Sequence, residues 1–107
     1  MLKQFNVYRN SSPATRDTLP YYMLIQDDCY DDLATRVIVP LVRNNRIPLW
    51  HSHLAPAINI DFETLLIYSP MITNINNQKI NTKDFVCNLR NARQDVIAAF
   101  DCLLTNT

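Results

Sequence analysis

Polar and apolar residues alternate near the start of the chain, where Gln4-Phe5-Asn6-Val7-Tyr8 has the two-residue period of a half-buried strand. Arg9 to Pro20 is polar, contains Pro13 and Pro20, and reads as a long hairpin loop. Tyr21 to Gln26 is a second, aromatic-rich strand that ends in the acidic turn Asp27-Asp28-Cys29-Tyr30-Asp31-Asp32. Thr35 to Leu41 is a third strand, β-branched at Thr35, Val37, Ile38 and Val39. Its Pro40 removes a ladder donor and predicts a sheet edge, a bulge or a strand end. Arg43 to His53 reads as irregular. Ala57 to Ile60 and Glu63 to Tyr68 flank Asp61-Phe62 as a short hairpin without the usual Gly. Met71 to Val86 is Asn-rich, with room for one or two small strands.

The last segment has a different period. Leu89, Ala92, Val96, Ala99, Phe100, Leu103 and Leu104 recur at three- and four-residue steps, the apolar stripe of an amphipathic helix. Asn88 is a fitting N-cap, whereas Arg90 and Arg93 oppose the helix dipole in the first turns. Strands first and one helix last predict an α+β fold with a curled antiparallel sheet. Residues 1–107 are expected to form one domain, since a chain of this size buries about two-thirds of its unfolded surface.

Composition adds exclusions. Ten basic residues balance ten acidic ones and no basic run occurs, so sequence-independent nucleic-acid binding is not expected. Apolar runs are too short to span a membrane, and the first residues lack the apolar core of a signal peptide. Cys29, Cys87 and Cys102 are an odd set without close spacing, which fits reduced thiols in a cytoplasmic protein. Glycine is absent, which rules out a Gly-rich phosphate loop. Turns that need a positive φ must use other residues. Asn, with twelve copies, is the least costly choice.

Candidate chemistry is sparse. His51-Ser52-His53 offers half a zinc site, but no partner ligands lie at matching spacing, so two solvated histidines are the better reading. The Asp27 to Asp32 cluster lacks the alternating oxygens, Gly and terminal Glu of a calcium loop; turn-forming Asp, or an acidic patch for a basic partner, explains it better. No nucleophile signature accompanies the scattered Ser, Cys, His and Asp residues. No metal or cofactor is expected.

Four blocks in order carry a resemblance. Gln4 to Tyr8 resembles the opening strand of the CcdB family of toxins. Tyr21 to Asp28, followed by Thr35-Arg36-Val37-Ile38-Val39-Pro40-Leu41, is similar to that family's second and third strands. Leu54-Ala55-Pro56-Ala57-Ile58-Asn59-Ile60 matches a Leu-x-Pro-hydrophobic-hydrophobic-x-Ile strand. Asp95-Val96-Ile97-Ala98-Ala99-Phe100-Asp101 resembles the closing helix.

The resemblance implies an SH3-like antiparallel β-barrel with a small accessory sheet and one C-terminal helix, assembled as a homodimer. It also implies the toxin of a plasmid-maintaining toxin–antitoxin system, neutralised by an antitoxin's C-terminal segment. Such toxins do no chemistry; they bind the DNA gyrase A subunit and trap its cleaved-DNA complex. By this resemblance Gln4, Phe5 and Tyr8 are retained gyrase-contact positions, and Asp101 holds the place of a polar helix residue. Asp27, Cys29 and Tyr30 stand where the family has Ser and two aliphatics. Thr105, Asn106 and Thr107 stand where it ends in Gly-Ile, which implies a weaker terminal anchor. Two alternatives stay open. One is a messenger-RNA-cleaving toxin of related barrel fold, with Arg36 and Arg16 as its cations. The other is a relic that binds an antitoxin without poisoning gyrase.

Overall fold

The first strand, β1 (Asn6–Arg9), begins two residues later than its alternation predicts. Phe5 sits at φ 70°, and a turn closed by the Asn6 N–H donating to the Lys3 carbonyl takes the place of the strand start. A left-handed conformation costs an L-residue about 1–2 kcal/mol. Burying a Phe side chain returns about 1.5–3 kcal/mol, and Phe5, only 4% exposed, collects it in the main core. In this computed structural model residues 2–43 and 53–105 are described.

Six further strands and one helix follow: β2 (Tyr21–Leu24), β3 (Thr35–Arg43), β4 (Ala57–Ile60), β5 (Glu63–Ile67), β6 (Thr73–Asn76), β7 (Phe85–Asn88) and α1 (Arg93–Thr105). They form a single curled antiparallel sheet in the order β4-β5-β3-β2-β1-β7, with β6 added on β3. This half-barrel closed by a helix is the expected α+β architecture. The accessory strand β6 belongs to the same sheet.

β3 organises the molecule because it pairs with three strands. Along one side Tyr21 to Leu24 run opposite Leu41 to Ile38. Along the other, Thr35 to Ile38 pair with β6, and Leu41 to Arg43 pair with β5. Pro40 therefore lies inside a central strand, not at the expected edge, bulge or strand end. Its carbonyl accepts from the Tyr68 N–H, so its nitrogen faces the same side. There the 3-10 turn Ser69–Met71 carries the chain from β5 to β6, and the missing donor falls in the gap between the two partners.

The strands are buried on both faces, not one. Val7, Met23, Val39 and Leu41 enter the main core with Ile60, Leu65, Ile67, Ala92 and Val96. Tyr8, Leu24 and Ile38 point the other way and pack with Ile80. Ile80 comes from the Asn-rich segment, which resolves into β6, β7 and two 3-10 turns, Asn77–Lys79 and Thr82–Asp84. Asn76 Oδ1 accepts from Gln78 N–H and Asn81 Oδ1 from Lys83 N–H, both at 2.9 Å. Asparagine thus caps turns at negative φ. The positive-φ positions among the described residues are Phe5, Asp61 and Phe62, contrary to the expectation for Asn.

The helix also starts late. Asn88 Oδ1 accepts the Arg90 N–H at 2.9 Å, but the cap position is Leu89, not the expected Asn88; it opens a 3-10 turn, Arg90–Ala92, and α1 begins at Arg93. Val96 and Ala99 are buried, and Phe100 and Leu103 are half-buried. Leu104 is 78% exposed. At about 100° per residue it lies about 80° round the helix from Val96, outside the stripe.

Candidate functional site

The acidic turn is built from the backbone outward. Asp27 Oδ1 accepts the Cys29 N–H at 2.9 Å and so nucleates the 3-10 turn Asp28–Tyr30. That bond, more than the nearby Arg93, holds the Asp27 carboxyl below its usual range. The Cys29 thiol is pushed up, first by desolvation and then by Asp27. Cys29, Cys87 and Cys102 are free thiols.

Arg36 braces this turn from beneath. The residue is 6% exposed, and its guanidinium donates to the carbonyls of Leu33 at 2.8 Å, Thr35 at 3.2 Å and Asp31 at 2.7 Å. Its neighbour in the strand, Val37, donates its N–H to Gln26 Oε1, and the Gln26 amide donates in turn to the Tyr30 carbonyl. Arg36 is therefore committed to shaping a loop. As a phosphate-handling cation of a nuclease it is misassigned, because its N–H groups already serve three carbonyls. Arg16 is exposed on the β1–β2 loop.

The N-terminal candidates divide by burial. Gln4 joins the acidic turn directly: its N–H donates to Asp28 Oδ1 at 2.8 Å and its side-chain amide to the Ile25 carbonyl at 3.0 Å. Phe5 lies in the core. Tyr8 is 1% exposed, stacked on Tyr22 at 5.8 Å and edge-on to Phe85 at 5.9 Å. Its hydroxyl accepts from Asn6 Nδ2 at 3.1 Å. Within this chain, then, Phe5 and Tyr8 present no side-chain surface; they fix the strand that carries Gln4. The alternating pattern could not show this, because it predicts one covered face and both are covered.

On α1, Asp101 and Thr105 are exposed, and the Thr105 hydroxyl donates to the Asp101 carbonyl at 2.6 Å. Asn106 and Thr107 lie outside the described residues, as do His51 and Ser52 of the histidine pair. It is the start of α1, not its end, that borders the acidic turn, since Arg90, Arg93 and Asp28 line one concavity. Asp101 is about 12 Å further along the axis, at 1.5 Å per residue. The structure brings Gln4, Asp27, Cys29 and Tyr30 together and leaves Asp101 and Thr105 as a separate patch.

Two features escaped the residue pattern. Phe62, at the tip of the β4–β5 hairpin, is fully exposed. Lys3, Arg90 and Arg93 converge on the concavity beside Asp28; the only trace of this in the sequence is the pair of arginines set against the helix dipole. Among the described residues no group of three or more His, Cys, Asp or Glu is placed to hold a metal ion. No helix there is long and apolar enough to cross a membrane.

A search of curated proteins finds no match. The family model described as CcdB protein matches residues 4–106, nearly the whole chain and all of the sheet and helix described above. That family comprises non-enzymatic toxins of toxin–antitoxin systems. With the four sequence blocks, the curled sheet and the closing helix all falling inside the match, the chain belongs to the CcdB family.

Proposed function

We propose that this protein is a gyrase-directed toxin that binds the DNA gyrase A subunit and holds the cleaved-DNA complex. The family match over residues 4–106 carries the reading. The toxin needs no catalytic group for this. It acts by binding one conformer of its target better than the others, and the shift can be no larger than that difference in affinity. The exposed turn of Asp27, Cys29 and Tyr30, with Gln4 beside it, and the α1 patch of Asp101 and Thr105 are the surfaces offered to gyrase. Phe5 and Tyr8 support the first of them from within. The protein works in the cytoplasm as a homodimer, is neutralised by an antitoxin's C-terminal segment, and serves plasmid maintenance.

The bracing of the turn by Arg36 favours this reading over messenger-RNA cleavage. A rigid, polar, exposed loop suits recognition, and its one buried cation is not available to a phosphate. The test is a supercoiling and cleavage assay with purified gyrase. Linear DNA should accumulate with added toxin in the presence of ATP. Unchanged supercoiling and no linear product at micromolar toxin would sink the proposal.

A further inference from the structure

The concavity of about 240 Å³ between the N-terminal segment, the acidic turn and the start of α1 is unlike the rest of the surface. Lys3, Arg90 and Arg93 border it with one carboxylate, Asp28. The lining carries three positive charges against one, with the Asp27 carboxylate close to Arg93, on a chain whose formal charges cancel. Three separate elements produce this convergence. Lys3 is positioned by the turn in which its carbonyl accepts the Asn6 N–H. Asn88 starts the 3-10 turn that holds Arg90. In such a turn residues three apart eclipse one another, so Arg93 stands over Arg90 on one face.

The polar neighbours are already engaged, whereas among the described residues the three cations form no ion pair and only Arg93 feels a carboxylate, that of Asp27. Asn88 Nδ2 donates to the Gln4 carbonyl and to Asn6 Oδ1, and the Gln4 amide donates to Ile25. Asp28 accepts the Gln4 N–H. The ion pair found among the described residues is Arg43–Glu63, elsewhere on the molecule. Cations at the first turn of a helix are locally unfavourable. Arg93 opens α1 and Arg90 sits in the 3-10 turn before it; with Lys3 they converge on a recess where only the Asp27 and Asp28 carboxylates are set against them, a departure from the local rule that marks a functional position.

We infer that this recess receives side-chain carboxylates of an acidic peptide segment, and so forms part of the surface that engages the antitoxin. This rests on the reading of the protein as a toxin with a peptide antitoxin. Charge complementarity selects the occupant. Asp28 in the wall opposes a dianionic phosphate, and a neutral protein has no long-range pull on a nucleic-acid polyanion. A carboxylate between guanidinium groups gains charge-assisted, bidentate hydrogen bonds at one unit of charge.

The probe is a hexaglutamate peptide, titrated into the full chain and followed by amide chemical shifts, with hexaglutamine as control. Hexaglutamate should perturb residues 3–5, 28 and 88–93, and hexaglutamine should not. The double variant Arg90→Gln/Arg93→Gln should bind at least tenfold more weakly with its spectrum otherwise preserved. Asp28→Asn keeps an oxygen for the Gln4 N–H and removes the opposing charge, so it should bind more tightly. Shifts that map elsewhere, unchanged affinity in the double variant, or weaker binding by Asp28→Asn would each overturn the inference. So would a short single-stranded oligonucleotide or inorganic phosphate that binds the recess better than hexaglutamate does. Gyrase cleavage is scored separately on the same proteins, so failure of the peptide site and failure of the toxin reading are distinct results.

Discussion

Phe62 shows how much an individual residue can depart from its local preference. Both Asp61 and Phe62 have positive φ, 51° and 66°, as a two-residue hairpin turn demands. Phe is among the poorest choices there, and being fully exposed it recovers nothing by burial. Phe62→Asn should therefore raise stability by about 0.5–1 kcal/mol and the melting temperature by a few degrees; an unchanged or lower value in calorimetry would show that the ring has a partner. Tyr22 departs in another way. Burial, then Asp84 and Tyr8, push its hydroxyl from 10.0 up to about 12. A raised acid pKa favours the neutral form in the folded state. The stabilisation is full below pH 10 and is lost as pH climbs through about 12. Melting temperatures across that window should fall more steeply for the native protein than for Tyr22→Phe. Parallel curves would contradict the burial of that hydroxyl.

The elements respond to substitution according to where their polar and apolar groups are satisfied. The acidic turn depends on one buried arginine. Replacing Arg36 by Met leaves the carbonyls of Asp31, Leu33 and Thr35 without their donor. At about 1–3 kcal/mol for each group left unsatisfied, partly offset by water, a loss of about 3 kcal/mol is expected. Hydrogen exchange at residues 30–35 should speed up far more than in β2 or α1; uniform exchange would mean that the turn holds itself. On α1, Val96→Asp places an unpartnered carboxylate in the main core at a cost of several kcal/mol, enough to unfold a small domain. A circular dichroism melt unchanged by that substitution would refute the assignment of the buried face. That face was legible in the sequence because a helix stripe is a local property, set by 3.6-residue periodicity. The late starts of β1 and α1 were not, since both depend on a turn: a left-handed Phe5 held by core burial, and a 3-10 turn begun by Asn88. Pro40 was misread for a related reason, as its acceptable place inside β3 exists only because β6 hands over to β5 there.

For the whole molecule, the order of strands and helix and the family blocks were enough to reach the curled sheet with its closing helix. The covered second face was not visible, because Ile80 reaches it from an Asn-rich segment whose pattern resembles a loop. Nor could the candidate site be read in full. Gln4 and the Asp27-to-Tyr30 turn meet through a pairing of β1 with β2 that no local pattern encodes, and Arg36 looks from its sequence like any other surface arginine. The remaining question at this scale is what covers the apolar groups left outside. Ile97 and Leu104 are exposed on neighbouring lines of α1, at about 100° and 80° from Val96. The helix packs on the Ser69–Met71 turn, which carries the exposed Met71. A patch of this kind on so small a chain suits an isologous contact, in which the same surface meets itself across a two-fold axis. Sedimentation equilibrium should accordingly give a dimer at micromolar concentration. Ile97→Glu combined with Leu104→Glu puts like charges into both halves of that contact and should yield a folded monomer, since neither side chain belongs to the core. If the native chain sediments only as a monomer, the homodimer is wrong. If the double variant stays dimeric, the two-fold contact lies on another surface, and the exposed edge of β4 or β7 becomes the place to look.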